Sequence, residues 1–472
     1  MIPDPDHSAP RTVVLPDRHV RSNGMRLGVL HPYQLRTSGS GVYVVRVMRE
    51  LLARGHQLTV LSHDDHPEQA LPTPASGRPG WDRWRARSLR PAGTPSAYPR
   101  AEEGNTVLFR DLTEDELRRY LDYHVAEVVA AAPSFDVLHV NGEVPMSWVG
   151  AQVRERTGIP YVTVAHGSTL EYVARVDDRF ASLARTGLAR ANAVVALNAE
   201  VRQRVLAVAP DAHVVTLPVG VDTEVFTPRA RVPGRPPTVT FVGRLSIDKG
   251  VLHLLGAVPS LAELAPGVRV VIVGTGVDTE LLTDVVEELQ AGCVTAATRL
   301  IWSHVDPSER GWATDLIESW RRDPPPPGRD FTVEFRGHQD EHGVADALAE
   351  ADVAMVPSLV HEAFPLVMLE ALAAGVPPLA TDAGGLSAVL DEIAPALGDV
   401  GPLLRLPAPG PDFARELPLR LARVLDHVRR PGAGEAVRRA CRGLAEQRYS
   451  WQVVVSGLED LYAQAHRPAH VS

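Results

Sequence analysis

In 472 residues the chain has only two cysteines, Cys293 and Cys441, far apart and without the spacing of metal ligands. A disulfide scaffold is excluded, and this usage fits a reducing compartment. No run of 18 or more apolar residues occurs, so no spanning helix is expected. Residues 1–24, rich in Pro, Asp, Arg and His, lack the basic-then-apolar layout of a signal peptide and read as a mobile tail. A soluble cytoplasmic protein is the expectation. Positive charge is also in deficit, with 48 Lys+Arg against 58 Asp+Glu and a formal net charge of −10. Such a balance argues against a nucleic-acid binder. What is present is length and apolar content (44 %), enough for two cores.

The first half alternates strands and helices. Met25–His31 reads as a buried strand, Pro32–Gly41 as a loop, Val42–Ala53 as an amphipathic helix and Gln57–Ser62 as the next strand. This begins a doubly wound parallel sheet. Gly39, Ser40 and Gly41 would let backbone approach a ligand. A dinucleotide fingerprint needs a third glycine where Val44 stands, so a nicotinamide or flavin cofactor is not expected. Residues 64–105 read as a long loop with an aromatic-basic cluster, Trp81, Arg83, Trp84, Arg85, Arg87 and Arg90. His63-Asp-Asp-His66 is no metal site, because four neighbouring loop residues cannot all turn to one ion. Thr113 with Glu116 predicts a capping box on a helix to about Ala131. Strands at Asp136–Val140 and Pro160–Ala165 deliver Asn141 and His166-Gly-Ser168 to the carboxyl edge of the sheet, where ligands of such sheets collect. Two further strands, Ala193–Ala196 and Val214–Leu217, flank a helix.

Five prolines between Pro218 and Pro237 mark a linker, after which the alternation restarts at Thr238–Val242. Arg244 and Lys249 flank the next strand-to-helix loop, placed to neutralise a diphosphate. Arg269–Val273 leads to Gly274 and Gly276, and Phe331–Phe335 to His338. Between them, residues 277–330 read as a helix, an extra loop and a helix around Trp312–Arg321. The strand Asp352–Val356 then feeds the stretch from Pro357 to Gly375, whose apolar part reads as a buried helix carrying Glu370. A carboxylate there is costly unless paired. Glu362 lies eight residues earlier, about 12 Å along a helix, with the free N–H groups of the first turn between the two glutamates. A ligand with phosphate in its middle and hydroxyls at both ends would satisfy all three features, and a nucleoside diphosphate sugar has that layout.

Three segments, PVGVDTEVFTP, FVGRLSIDKG and EAFPLVMLEALAAGVP, occur in this order, and through them the chain from Met25 to about Ala465 resembles retaining glycosyltransferases of family 4. The resemblance implies the α/β GT-B fold, two Rossmann-like doubly wound parallel-sheet domains across a cleft. It implies an N-terminal acceptor domain over 25–220, a linker at 221–237, a donor domain over 238–448 and a final helix, about 449–466, that packs back on the first domain. It implies transfer of a hexose from a nucleotide sugar, UDP rather than GDP, to a small polar or lipid-linked acceptor, without metal and with no cofactor besides the co-substrate. In that scheme Arg244 and Lys249 hold the diphosphate, Glu370 the ribose and Glu362 the donor sugar, Glu362 not being a nucleophile. Phe364 and Leu366 offer backbone N–H groups beside Pro365, which has none. Gly274, Gly276 and His338 lie near the base, Gly39, Ser40 and Gly41 close over the phosphates or acceptor, His166 contacts the sugar, and Asn141 serves the acceptor. The competing classes are an epimerase or a phosphorylase, the latter disfavoured by the scarcity of lysine in the second half, and a non-catalytic binding scaffold.

Overall fold

The computed structural model describes residues 24–35, 39–64, 66–71, 84–89, 107–232, 234–306, 310–327, 330–362 and 365–467. The expected tail up to Asn23, the loop residues Trp81, Arg83 and Arg90, and the site candidate Phe364 lie outside the described residues.

The first half runs β1 (Arg26–His31), α1 (Gly39–Ala53), β2 (Gln57–Ser62), β3 (Trp84–Ser88), α2 (Glu114–Ala131), β4 (Val137–Asn141), α3 (Met146–Thr157), β5 (Tyr161–Ala165), α4 (Asp178–Ala189), β6 (Ala193–Ala196), α5 (Ala199–Val208) and β7 (Val214–Thr216). Among the described residues its strands form one parallel sheet in the order β3-β2-β1-β4-β5-β6-β7. The second half runs β8 (Thr238–Val242), α6 (Val251–Leu264), β9 (Arg269–Val273), α7 (Thr279–Gln290), α8 (Val294–His304), α9 (Arg310–Arg322), β10 (Thr332–Phe335), α10 (Glu341–Ala349), β11 (Val353–Val356), α11 (Leu366–Ala373), β12 (Pro378–Thr381), α12 (Gly384–Ile393), β13 (Arg405–Leu406), α13 (Pro411–Arg429), α14 (Ala433–Leu444) and α15 (Trp451–His466). This sheet is also parallel, in the order β10-β9-β8-β11-β12-β13.

Helices cover both faces of a parallel sheet, so its central strands must be apolar on both sides. In β4, β5 and β6 every residue is buried. The strand order reverses between β1 and β4 in one sheet and between β8 and β11 in the other, and each reversal opens a crevice at the carboxyl ends of its strands. One face of the first sheet packs on α2, α3 and α4, the other on α1 and, from the far end of the chain, α15. Trp451, Val454, Val455 and Leu458 of α15 share a core with Leu27, Val29 and Val162. The crossing is tied to the start of the linker, where Val221 N–H donates to the Tyr449 carbonyl at 2.6 Å.

The α/β expectation holds, and the differences have local causes. Helix α1 starts at Gly39, so Gly39, Ser40 and Gly41 form its first turn instead of a loop. Part of the expected loop at 64–105 is β3, an edge strand. Edge strands need not be apolar, and the arginines of this one, Arg85 and Arg87, are exposed. The extra loop expected after α7 contains α8, which buries only Ala297 and Ile301 and opens with weak helix formers, Val294 and Thr295. No element was expected between Ser168 and Ala193, yet α4 is there, capped by Asp177, whose carboxylate accepts from Arg179 N–H at 2.9 Å. Helix α11 begins at Leu366, so Glu362 lies on the loop before it and helical rise does not set its distance from Glu370.

The crossing of α15 rests on Trp451, 7 % exposed and packed edge-on to Tyr43 of α1 at 5.7 Å between ring centres. Trp451→Ala should destabilise the protein by about 3–5 kcal/mol, the usual cost of emptying a large aromatic site. Urea denaturation with an unchanged midpoint would show that the helix is not anchored there.

Candidate active site

On the second sheet the expected site residues come from the carboxyl ends of adjacent strands. The loop after β8 carries Arg244 and Lys249, and the loop between β11 and α11 carries Glu362. Lys249 Nζ forms an ion pair with Glu362, and Ser358 Oγ donates to the same carboxylate at 3.0 Å. Ser358 was not singled out in the sequence. The lysine turn is fastened from behind, since Asp278 accepts from Ile247 N–H at 2.9 Å. Arg244 stands out in solvent, its side chain 71 % exposed, with Asp248 Oδ2 3.6 Å away.

Glu370 decides between a ligand site and a structural salt bridge. Its carboxylate forms no hydrogen bond or ion pair among the described residues. The protein does not welcome its charge: burial first, and the negative charge of Glu341 second, push its carboxyl up to about 7, against a smaller opposing pull from Arg46. Its neighbours in α11, Met368, Leu369, Ala371 and Leu372, are all fully buried, so the helix cannot roll, while Glu370 itself is half-buried. Leu366, at the helix start, packs against the core of the first domain, and Pro365 precedes it at the cap position.

The glycines have a packing reason for being glycine. A Cβ on Gly274, at φ +135°, would lie 1.8 Å from the Gly243 carbonyl oxygen, and one on Gly276 would lie 2.2 Å from that of Leu245. Both keep the loops after β8 and β9 in register, a requirement separate from any ligand. Gly41 is needed in the same way against the Gln34 and Leu35 carbonyls, whereas Gly39 faces open space. His338 is exposed, next to Gly337, whose carbonyl accepts from Gly274 N–H at 2.8 Å.

The first sheet contributes a polar row at the ends of β1, β4 and β5. Asn141 is buried, its Nδ2 2.8 Å from His31 Nδ1 and its Oδ1 2.9 Å from His166 Nε2. With the amide oriented so, His166 carries its proton on Nε2 and keeps Nδ1 as an acceptor. Asn141 thus orients His166, and its amide atoms are committed to the two histidines. Enclosure pushes the His166 imidazole down to about 4, so it is neutral at pH 7. Its ring packs edge-on to Tyr43, 5.3 Å between centres. Of the other polar cluster, Asp64 accepts from Leu35 N–H and His66 N–H, both at 3.0 Å, which makes it a loop-fastening residue; Asp65 lies outside the described residues.

Sequence reasoning passed over Glu143, two residues beyond Asn141. It is 1 % exposed, and it accepts from Gly167 N–H and, at 2.9 Å, from Thr169 Oγ1–H. Burial raises its carboxyl above the ordinary value. The loop that presents His166 is therefore hung from one buried carboxylate. An acidic residue directly after a strand ending in Asn-Gly was the available signal. A second was the lysine count: Lys249 is the chain's single lysine, every other basic side chain among the 48 being arginine. The faces also touch across the cleft. Arg46 of α1 pairs with Glu341 and, at 3.0 Å, with Asp222, and His361 Nε2 lies 2.6 Å from Glu200 Oε1 and 3.0 Å from Arg204 Nη2.

Comparison with known proteins agrees with this geometry. Residues 37–225 match the model described as Glycosyltransferase Family 4, and residues 172–458 match Family 4 Glycosyltransferase in conflict systems. The chain is 28 % identical over 456 residues to the phosphatidyl-myo-inositol mannosyltransferase of Mycobacterium tuberculosis, covering 93 % of this chain and 96 % of that one. It is 30 % identical over 364 residues to the D-inositol 3-phosphate glycosyltransferase of Saccharomonospora viridis, covering 70 % of each. Among solved structures, Anabaena Alr3699/HepE in complex with UDP superposes with a TM-score of 0.61 at 16 % identity, over 93 % of this chain and all of that one. The fold is GT-B, two parallel-sheet α/β domains with a cleft between them, the architecture of enzymes that move a sugar from a nucleotide sugar. The chain belongs to glycosyltransferase family 4 and is a hexosyltransferase.

Glu143→Ala leaves two buried donors unpaired and should cost about 1–3 kcal/mol in urea denaturation. Glu143→Gln keeps an acceptor for Gly167 and gives Thr169 a donor, so it should lose less than half of that. Equal losses in the two variants would mean that hydrogen bonding is not what holds this loop.

Proposed function

We propose that the chain transfers a hexose, with retention, from a UDP-sugar to a hydroxyl of a polyol acceptor, free or lipid-linked, without a metal ion. The observation that carries this reading is the Glu370 carboxylate, without a partner among the described residues, on the helix that follows the loop where the chain's one lysine pairs with Glu362. A ribose diol donating to Glu370 would supply what the protein withholds. The UDP choice draws on solved relatives bound to UDP and to UDP-glucose. The acceptor class draws on the inositol-containing compounds in the names of two relatives.

In this scheme the diphosphate draws Lys249 away from Glu362, which frees that carboxylate for the hydroxyls of the donor sugar. Arg244, extended into solvent, folds onto the phosphates. The two cations, with the N–H groups at the start of α11, stabilise the charge that develops on the leaving group. His166, held by Asn141 and neutral, offers its Nδ1 to a sugar hydroxyl. Retention follows from front-face attack in which the departing phosphate takes the acceptor's proton, so no protein base is assigned. A pyridoxal-dependent phosphorylase would require Lys249 itself as the Schiff-base lysine, and Lys249 is engaged with Glu362.

Two measurements test this. Burial lifts the Glu370 carboxyl from 4.5 to about 7, so its ionisation disfavours the free folded state and stability falls as pH rises through that window. Ribose hydroxyls need the ionised form, so donor binding releases a proton. The affinity for UDP-glucose, whose diphosphate does not titrate here, should tighten roughly tenfold from pH 6 to pH 8. In Glu370→Gln it should be weaker and flat. A pH-independent wild type, or unchanged affinity in the variant, would return Glu370 to a structural role. Lys249→Arg should lower kcat by on the order of 10²-fold, because the bulkier guanidinium cannot replace a compact ammonium at the leaving phosphate. Wild-type turnover in that variant would remove Lys249 from the mechanism.

A further inference from the structure

At the opposite end of the second domain from the cleft, three arginines converge on one carboxylate and a fourth lies beside them. Asp352, at the amino end of β11, is fully buried. Its Oδ1 is 2.8 Å from Arg231 Nη1 and 2.5 Å from Arg235 Nη2, and its Oδ2 is 3.0 Å from Arg429 Nη1 and accepts from Thr238 N–H at 3.0 Å. Arg438 of α14, 6 % exposed, completes the group and donates from Nη2 to the Arg229 carbonyl. Apart from Asp352, the acid whose charge reaches both Arg231 and Arg438 is Glu435, which is exposed. The group therefore carries four positive charges against two negative ones.

The hydrogen-bond inventory is as unbalanced as the charge. Nε and Nη2 of Arg231 and Nη1 of Arg438 are buried and find no acceptor among the described residues. A guanidinium N–H without an acceptor inside protein is costly, and three in one cluster point to a missing anionic partner more readily than to three separate defects. Burial, and beyond it the charges of neighbouring arginines, hold Arg231, Arg235 and Arg438 below the ordinary guanidinium value. An anion among them would relieve both penalties together.

We propose that Arg231, Arg438 and Arg429 form an anion site for a small free oxyanion of the phosphate or sulfate kind, distinct from the diphosphate position in the cleft. Arg231 and Arg429, with side chains 20 % and 32 % exposed, are the gate: the anion enters as Arg231 turns from the Val428 carbonyl, which its Nη1 holds at 3.0 Å. Burial of the open N–H groups restricts the ligand to a free ion, since a phosphate on a larger molecule would need the cluster taken apart. The site joins the linker, through Arg231, to α13 and α14, through Arg429 and Arg438, so occupancy clamps the linker to the donor domain. This inference does not depend on the transfer chemistry proposed above.

The test titrates inorganic phosphate into the full-length protein at constant ionic strength, held with sodium chloride, in the presence of saturating UDP so that the cleft is occupied. Melting temperature is expected to rise saturably in the low-millimolar range, and glycerol 2-phosphate is expected to produce no saturable rise. Arg231→Met and Arg438→Met should lose the rise. A wild type without a saturable rise, or variants that keep it, would overturn the site, and an equal response to glycerol 2-phosphate would overturn its restriction to a free ion. Should either variant fail to fold, calorimetric titration of phosphate into the UDP-saturated wild type decides: one site per chain supports the proposal, and no binding heat contradicts it.

Discussion

One carboxylate that the protein leaves without a partner among the described residues governs how the second domain is built. Glu370 sits on a short helix whose residues Met368, Leu369, Ala371, Leu372 and Ala373 are sealed into the core, and the charges that act on it, Glu341 and Arg46, pair with each other. Ionising a carboxyl in such a place works against stability. The cost is tolerable because the surrounding core is large: one cluster runs through α6 to α14 and leaves α11 no freedom to turn. The site is thus preorganised, with its electrostatic demand left for a ligand to meet.

The two domains are joined by contacts of unequal kinds. The α15 crossing is apolar and deep, and fixes the far side of the first sheet to the end of the chain. Across the cleft mouth the ties are polar: Arg46 to Glu341 and Asp222, and His361 to Glu200 and Arg204. Half-exposed pairs of this type contribute about 0–1 kcal/mol each. Ties of this strength hold the mouth far less firmly than the α15 crossing holds the far side. His361 adjoins Glu362, and Glu341 lies in the field of Glu370, so each polar tie abuts one of the two glutamates of the proposed donor site.

How far the sequence was legible follows from the physics of each element. Strands of a parallel sheet are continuous apolar runs, and Gln57–Ser62, Thr238–Val242 and Arg269–Val273 were read residue for residue. The capping box at Thr113 and Glu116 was equally plain, because both of its bonds are local. What escaped was decided by tertiary contact. Edge strand β3 has no apolar pattern to reveal it, and α8 buries too little to show a stripe. Glu143 looks like any loop acid until Gly167 and Thr169 are folded onto it. Gly274 and Gly276 were seen as loop glycines, and the backbone packing that also requires them was not legible. The bonds of Asn141 to His31 and His166 likewise appear only once three strand ends are brought together. The single lysine was in plain sight, and its meaning depended on finding Glu362 beside it.

The central claim is that the unpaired carboxylate of α11 is completed by a nucleotide ribose. A crystal structure of the protein with UDP measures it directly. The account predicts both ribose hydroxyls within hydrogen-bond distance of Glu370 and the diphosphate against Lys249, turned away from Glu362. UDP bound elsewhere, or bound in the cleft with Glu370 still unpaired and Lys249 still on Glu362, would contradict it.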